Sequence, residues 1–520
     1  MMAQKQNATF IKGAAILAVA GILVKILGAI FKIPLVSLIT SAGMGYYSSA
    51  YPVYVMLLAI STSGFPIAIS KMISERIAEN KQKNAEDVFK IILPFMVFLG
   101  AFISIAVYLS ANYIATSFLH NPKAAHSLKA LSAALLLVPI MSAYRGYFQG
   151  KNYMLPSALS QIFEQLGRVI VGLALAYVMV SSGLEYGAAG ASFGAAAGAF
   201  LGLLTVFVFY RKSFKKIKSE TDKADYKKEK PSKVLNELMA LSIPIIVGAL
   251  VKPIMDLIDA SMVIKLLMKI GYGEIDANSM FGQLSGMATT MVNLPSIVIS
   301  AIAMSIVPVI SFSYAKSDIE TAQNNAVLGI RTAILIGLPA GIGMMSMSTP
   351  IMHLLFPKEN AVTAGAILFI AASGIVFLSL IQILTAILQA VDKVYLPVIN
   401  LMCGVILKIV LNSILINDAL NVKGAAIATV CAYIGAAALD LFFVVKTLKL
   451  SLNIGQVFVK PLIASLLTGV SAYFTYNIIF KLIKPSLATL ISIAVGGAVY
   501  LVAVFSLKII SKEEIKMIKK

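Results

Sequence analysis

Five basic side chains stand inside stretches whose other residues are apolar enough to cross a membrane: Lys25, Lys32, Arg168, Lys252 and Lys408. A cation at the centre of a membrane helix costs roughly 2.5–3.5 kcal/mol on insertion scales, so it marks a functional position, and its natural counterpart is an anion. Gly21, Lys25, Gly28 and Lys32 follow at intervals of 4, 3 and 4, which at 3.6 residues per turn is one helix face. The two lysines then lie about 10 Å apart along it, and the glycines beside them leave room for a close approach or a bend. No acid is near them in sequence. The blander reading is that each lysine snorkels to an interface or meets an acid from another helix. The chemistry on offer is electrostatic capture of an anion, with Lys25, Lys32, Arg145, Arg168 and Lys408 as the binding candidates. Arg145 and Lys71 are expected near the cytoplasmic ends of the fourth and second spans, where the positive-inside rule places cations in any case.

Four acids share the apolar stretches: Glu164, Asp256, Asp259 and Asp440. Glu164 and Arg168 are an i,i+4 pair in the favourable order and could neutralise each other. Lys252, Asp256 and Asp259 share one helix face at i, i+4 and i+7. One lysine cannot neutralise two carboxylates, so this face is a candidate ion site or a gate bridge in which Asp256 or Asp259 meets Lys25 or Lys32; a local Lys252–Asp256 pair is the alternative. Asp440 and Lys408 are a further candidate pair. His120, His126 and His353 fall in short loops, and Cys403 and Cys431 in apolar segments. This offers no convergent acid–base or metal cluster for an intramembrane enzyme, so no metal or cofactor is expected.

The elements that must position these groups are membrane helices. Of 520 residues, 59% are apolar and 13% charged, against about 25% charged in a soluble domain. Fourteen apolar segments are predicted, near 11–40, 48–72, 88–116, 127–149, 153–181, 186–210, 236–268, 279–312, 324–350, 361–388, 394–416, 423–446, 456–480 and 485–508. They are too long and too uniformly apolar for barrel strands, so the fold class is an all-α polytopic membrane protein. Pro34, Pro66, Pro94, Pro139, Pro244, Pro253, Pro295, Pro308 and Pro339 fall within them and predict broken or kinked helices.

The net charge of +20 is informative by position. With a cytoplasmic N-terminus, the inner segments hold 30 basic residues and the outer loops 8, the remaining five of 43 being the intramembrane cations. That asymmetry places both termini in the cytoplasm. Ten of the inner cations lie in Arg211–Lys233, a polar stretch read as a mobile tether that could also attract anionic lipid.

The tether separates two similar halves. Gln149–Arg168 reads QGKNYMLPSALSQIFEQLGR and Gln389–Lys408 reads QAVDKVYLPVINLMCGVILK. Each opens with Gln, carries Leu-Pro midway and ends in a cation, and YGAAGA at Tyr186 answers KGAAIA at Lys423. Six helices per repeat is an even number. This predicts two six-helix lobes, 1–210 and 234–450, related by a pseudo-twofold axis along the membrane normal, with a cavity between them. The tether is 211–233, and residues 451–520 add helices 13 and 14 and a basic tail.

The chain resembles the stage V sporulation protein B-like, polysaccharide biosynthesis branch of the multidrug/oligosaccharidyl-lipid/polysaccharide (MOP) flippase superfamily, to which the lipid II flippases also belong. The resemblance is carried by LGAIFKIPLVSLITSAGMGYYSSAYPVY from Leu27, STSGFPIAISKMISE from Ser61, YRGYFQGKNYMLPSALSQIFEQLGR from Tyr144, IPIIVGALVKPIMDLIDASMV from Ile243 and FGQLSGMATTMVNLPSIVISAIAMSIVPVIS from Phe281. It implies fourteen helices and export of an undecaprenyl-diphosphate-linked glycan, lipid II or a related cell-wall precursor, across a bacterial cytoplasmic membrane. It also implies that Lys32 is the basic residue before Ile-Pro-Leu, with Lys25 near a second, and that Arg145, Gln149, Glu164 and Arg168 belong to a shared motif. Ser41-Ala42 precede Gly43 where the family often has an acid. Thr289-Thr290 occupy the stretch before Pro295 where Gram-negative lipid II flippases carry an arginine. The phosphate-binding set therefore does not transfer whole.

The reading is a flippase working by alternating access, driven by the membrane potential or a monovalent cation, with no GxxxxGK[ST] site for ATP. Its partners are the lipid-linked glycan and membrane lipids, with the cell-wall synthesis machinery as a candidate; no nucleic acid is involved and a monomer is expected. The alternatives are a cation-coupled multidrug antiporter and an O-antigen or capsular repeat-unit flippase.

Overall fold

The computed structural model describes residues 2–217 and 229–509. Positions 218–228 of the expected tether and 510–520 of the expected tail lie outside the described residues. The chain forms α1 (Met2–Ala59), α2 (Phe65–Ala78), α3 (Gln82–Tyr113), α4 (Ala124–Gly150), α5 (Leu155–Met179), α6 (Leu184–Ile217), α7 (Pro231–Lys269), α8 (Glu274–Phe281) and α9 (Thr289–Ala315). There follow α10 (Ile319–Ser346), α11 (Ser348–Leu355), α12 (Ala361–Ala372), α13 (Ile375–Ala390), α14 (Tyr395–Leu415), α15 (Val422–Leu448), α16 (Lys460–Ile479) and α17 (Pro485–Ser506). Among the described residues there is no strand.

Among the described residues thirteen apolar helical runs are long enough to cross a membrane, and the first covers 63 residues, Ile16–Ala78. At 1.5 Å per residue that run is about 95 Å, some three times the ~30 Å bilayer core. It is broken at Thr40, whose backbone turns to φ 60°, ψ 174°, a conformation costly for any residue but glycine. The break falls where the first predicted span ends, and counting its two sides separately gives the fourteen expected crossings. The second side widens at Ile60–Gly64 into a π turn. Pro66 has no N–H to return to the carbonyl of residue 62, and the Ser61 and Thr62 hydroxyls donate to the carbonyls of Leu57 and Leu58 at 3.4 and 2.9 Å. Another π turn, Gly282–Ala288, links α8 to α9.

The internal repeat reappears at the corners. Asn152 and Asp392, 240 residues apart, take left-handed φ values of 56° and 59°. In both, the corner N–H returns to the glutamine carbonyl three residues back, Asn152 to Gln149 at 3.0 Å and Asp392 to Gln389 at 3.3 Å. The next N–H closes on Phe148 or Leu388, each at 2.9 Å. Asn80 and Ser317, at φ 59° and 60°, form a second matched pair.

By contact, the chain divides into two compact units: residues 1–265 with 274–279, and residues 266–273 with 280–520. Helix α7, assigned by the sequence reading to the second lobe, is grouped by its packing with the first unit as far as Lys265. In that unit, α6 carries glycines at 190, 194, 198 and 202, a small-residue stripe at helical spacing that lets two backbones meet. A Cβ on Gly198 would come within 2.2 Å of the Glu164 carbonyl, and one on Gly194 within 2.6 Å of the Arg168 carbonyl. The stripe thus sets the depth at which α5 presents Glu164 and Arg168. The second unit has its core among α9, α10, α13 and α15, around Ile299, Ile330, Ile334, Ile383, Leu384 and Val444.

Candidate functional site

The site is built where α1 lies on α5. Gly28 sits so close to α5 that a Cβ there would come 3.4 Å from the amide nitrogen of Gln165. Since Gly28 lies between Lys25 and Lys32 on the predicted stripe, both lysines flank this contact, Lys25 exposed and Lys32 half-buried. One turn further along, Phe31 rests at Gly172 of α5. On the far side of the Thr40 break, Tyr47, Tyr51 and Tyr54 recur at i, i+4 and i+7. Tyr47 stacks on Tyr51 at 5.3 Å and meets Phe31 edge-on at 6.5 Å. This ladder receives Arg168, whose guanidinium donates to the hydroxyls of Tyr51 and Tyr54 at 3.2 and 3.4 Å.

Glu164 keeps its expected i,i+4 pair with Arg168 and gains a second, closer partner. Its short bond is from Arg145 on α4, at 2.8 Å, while Arg168 stands 3.8 Å away. Arg145 is only 9% exposed and also donates to the Ser160 hydroxyl at 2.8 Å, and Ser160 passes the chain on to the Gly202 carbonyl at 2.8 Å. Arg145, a binding candidate in the sequence, thus has partners within the chain. Its guanidinium reaches from α4 to Ser160 and Glu164 of α5. Arg145, Arg168 and Glu164 together leave one positive charge on the α5 face.

On α7, Lys252 and Asp256 form the local pair, at 3.8 Å and largely solvated. Asp256 and Asp259 remain the gate or ion candidates of this face, with Lys252 beside Asp256. Lys408 and Asp440 belong to the second unit and are both deeply buried, 2% and 0% exposed. The carboxylate of Asp440 accepts from Asn400 at 2.7 Å and from Thr385 at 3.4 Å.

Two ties on α7 and α8 were not foreseen. Arg76, near the end of α2, donates to both oxygens of Glu229 at 2.8 and 2.7 Å and to both of Glu237 at 3.2 and 2.8 Å. Asn84 adds a bond to Glu229 at 3.3 Å. The Arg76 hydrogen bond holds Glu229 below the usual carboxylate range. Beyond the other end of α7, Asn121 donates to Asn278 at 2.7 Å and to Ser49 at 2.9 Å, and the Ser41 and Ser279 hydroxyls lie 2.7 Å apart. A Cβ on Gly45 would meet the Asn278 carbonyl at 2.2 Å. Gln165 and the tyrosine ladder were also missed. The ladder had a signal, the helical spacing in YYSSAYPVY, and Gln165 stands within the QIFEQLGR stretch that carries the resemblance; the two ties had none.

The chain matches the family described as "Polysaccharide biosynthesis protein" over residues 10–313, and "MatE" over residues 244–414. It is 29% identical to the uncharacterized membrane protein YabM of Bacillus subtilis (strain 168), over 98% of this chain and 94% of the relative. It is 26% identical to the lipid II flippase MurJ of the same organism, over 97% of each. Among solved structures, an inward-facing MATE transporter of the MOP superfamily superposes with TM-score 0.68 at 15% identity, covering 83% of this chain and 98% of that one. A lipid II flippase MurJ in an inward closed conformation gives 0.67 at 16%, covering 95% and 97%. With its helical crossings, the fold is that of a multi-pass membrane transporter of the MOP type, and the chain belongs to the polysaccharide biosynthesis protein family.

Proposed function

We propose that this protein is a flippase that carries an undecaprenyl-diphosphate-linked cell-wall precursor, lipid II or a close relative, from the inner to the outer leaflet of a bacterial cytoplasmic membrane, with both termini cytoplasmic. The observation that supports this reading is the placing of Lys25 and Lys32 on either side of the Gly28–Gln165 contact between α1 and α5, with Arg168 on the same stretch of α5 and its acid, Glu164, shared with Arg145. Such a surface attracts a dianionic diphosphate, while the prenyl chain stays in lipid. An inside-negative potential favours outward movement of an anion by roughly 2.3 kcal/mol per charge per 100 mV, and alternating access supplies the path. The relatives add support, one of them bearing the name lipid II flippase. A cation-coupled drug antiporter would use Asp256 or Asp259 for its ion. Lys252, 3.8 Å from Asp256, already brings that carboxylate a cation of the chain's own. The test is depletion of this protein in its native cell with a probe for precursor on the outer leaflet. Loss of accessible precursor is expected; unchanged accessibility, with no second flippase present, contradicts the reading.

A further inference from the structure

Two hydrogen-bond donors on the α1–α5 face are buried without a partner: the side-chain amide nitrogen of Gln165 and the Nε of Arg168. Gln165 is 4% exposed. Buried polar groups are nearly always bonded, and an orphaned donor is costly; two orphans three residues apart on one helix face are a pattern rather than an accident. The other guanidinium nitrogens of Arg168 have Tyr51 and Tyr54, which leaves Nε as its spare donor. The Gln165 amide lies against Gly28, three residues after Lys25 and four before Lys32. Glycine at this position leaves no side chain of α1 over the amide.

We propose that Gln165 reads the ligand directly, its amide N–H and the Arg168 Nε–H bonding the oxygens of a phosphate ester that Lys25 and Lys32 attract. The lysines supply long-range charge. Gln165 supplies a short, directional and uncharged donor, which distinguishes a correctly seated phosphate from any anion drawn to the same patch. The inference rests on the proposed function for its cargo, since an anionic phospholipid headgroup or free pyrophosphate offers the same oxygens.

The test is thermal unfolding of the purified full chain in detergent with three probes: a short-chain polyprenyl diphosphate, phosphatidylglycerol and inorganic pyrophosphate. The wild type is expected to be stabilised by the polyprenyl diphosphate. Gln165→Met, similar in shape and without a donor, should unfold at the same or a higher temperature without ligand, because it removes an orphaned donor. It should bind about tenfold more weakly, as expected for one bond to a charged group. Gln165→Glu, which sets a negative charge against the ligand, should abolish the ligand shift. Wild-type binding by Gln165→Met overturns the inference. So does a ligand-free Gln165→Met that unfolds earlier or fails to accumulate, because Gln165 is then a structural residue. A wild type that responds only to phosphatidylglycerol or pyrophosphate, with the response lost in Gln165→Met, keeps Gln165 as the reader and contradicts the proposed cargo. A wild type indifferent to all three overturns both.

Discussion

Arg145 closes on Glu164 at 2.8 Å across the α4–α5 interface, nineteen residues away in sequence. Glu164 is thereby shared between two guanidiniums, and its second oxygen reaches only to 3.8 Å from Arg168. The arrangement keeps Arg168 positive while fixing where it points. Glu164→Gln leaves two cations in a mostly buried place without their common acid. A cost of about 3–5 kcal/mol in unfolding free energy is expected, the range for breaking one side of a buried pair. Arg145→Met combined with Glu164→Gln should cost less than the sum of the single changes. Denaturant titration of the four proteins checks this; strict additivity would show that the two side chains are not coupled.

Tyr51 and Tyr54 hold the guanidinium of Arg168 through their hydroxyls. Replacing either with Phe removes a bond to a charged group, roughly 1.5 kcal/mol at the weak end of that class, while keeping the stacked ladder. Each variant should accumulate normally and show about tenfold weaker ligand binding, with Arg168→Lys worse than either. Transport equal to wild type in the Tyr51→Phe, Tyr54→Phe double variant would remove the ladder from the site.

The glycines of α6 and α1 serve different ends, and alanine separates them. At Gly198 a Cβ would press within 2.2 Å of the Glu164 carbonyl, so Gly198→Ala must move α5 and should lower both stability and transport. At Gly21 nothing lies within 4 Å. Gly21→Ala should be tolerated and should favour the helix by up to about 1 kcal/mol. Thermal unfolding and membrane abundance distinguish the two; equal tolerance would argue against close packing as the device that sets α5.

The Arg76 tie predicts a pH dependence. Arg76 holds the Glu229 carboxyl below the ordinary value, so its contribution to stability is present above the unfolded glutamate pKa, about 4.3. It is lost as pH falls through the lower folded value. The stability gap between wild type and Glu229→Gln should therefore be constant from pH 8 to 5 and close below about pH 4. A gap that closes between pH 7 and 5 would show that another group governs the tie.

Much of the architecture was legible because membrane helices write themselves as long apolar runs. The break at Thr40 falls at the end of the first predicted span, and the Leu-Pro and Gln markers located the corners at Asn152 and Asp392. The cations of the candidate site stood out in the sequence because Lys25, Lys32 and Arg168 interrupt such runs. What they touch was not. Glu164 was read as the partner of Arg168 because i,i+4 pairs are visible in one helix, whereas Arg145 reaches it only through the packing of α4 on α5. Gln165 stands within the QIFEQLGR stretch, but its orphaned nitrogen exists only once Gly28 brings α1 alongside. Arg76 meets Glu229 and Glu237 across 153 and 161 residues, and no local pattern pairs them.

The central claim is that charge on α1 captures an anionic lipid-linked cargo. The most direct measurement is outer-leaflet exposure of the native precursor in cells whose only copy of this protein carries Lys32→Gln, Lys32→Arg or the Lys25→Gln, Lys32→Gln pair, with membrane abundance measured alongside. Exposure should fall at least about tenfold in Lys32→Gln, nearly vanish in the double variant and largely persist in Lys32→Arg, at equal abundance. Normal exposure in the double glutamine variant would contradict the assignment of these lysines to the diphosphate.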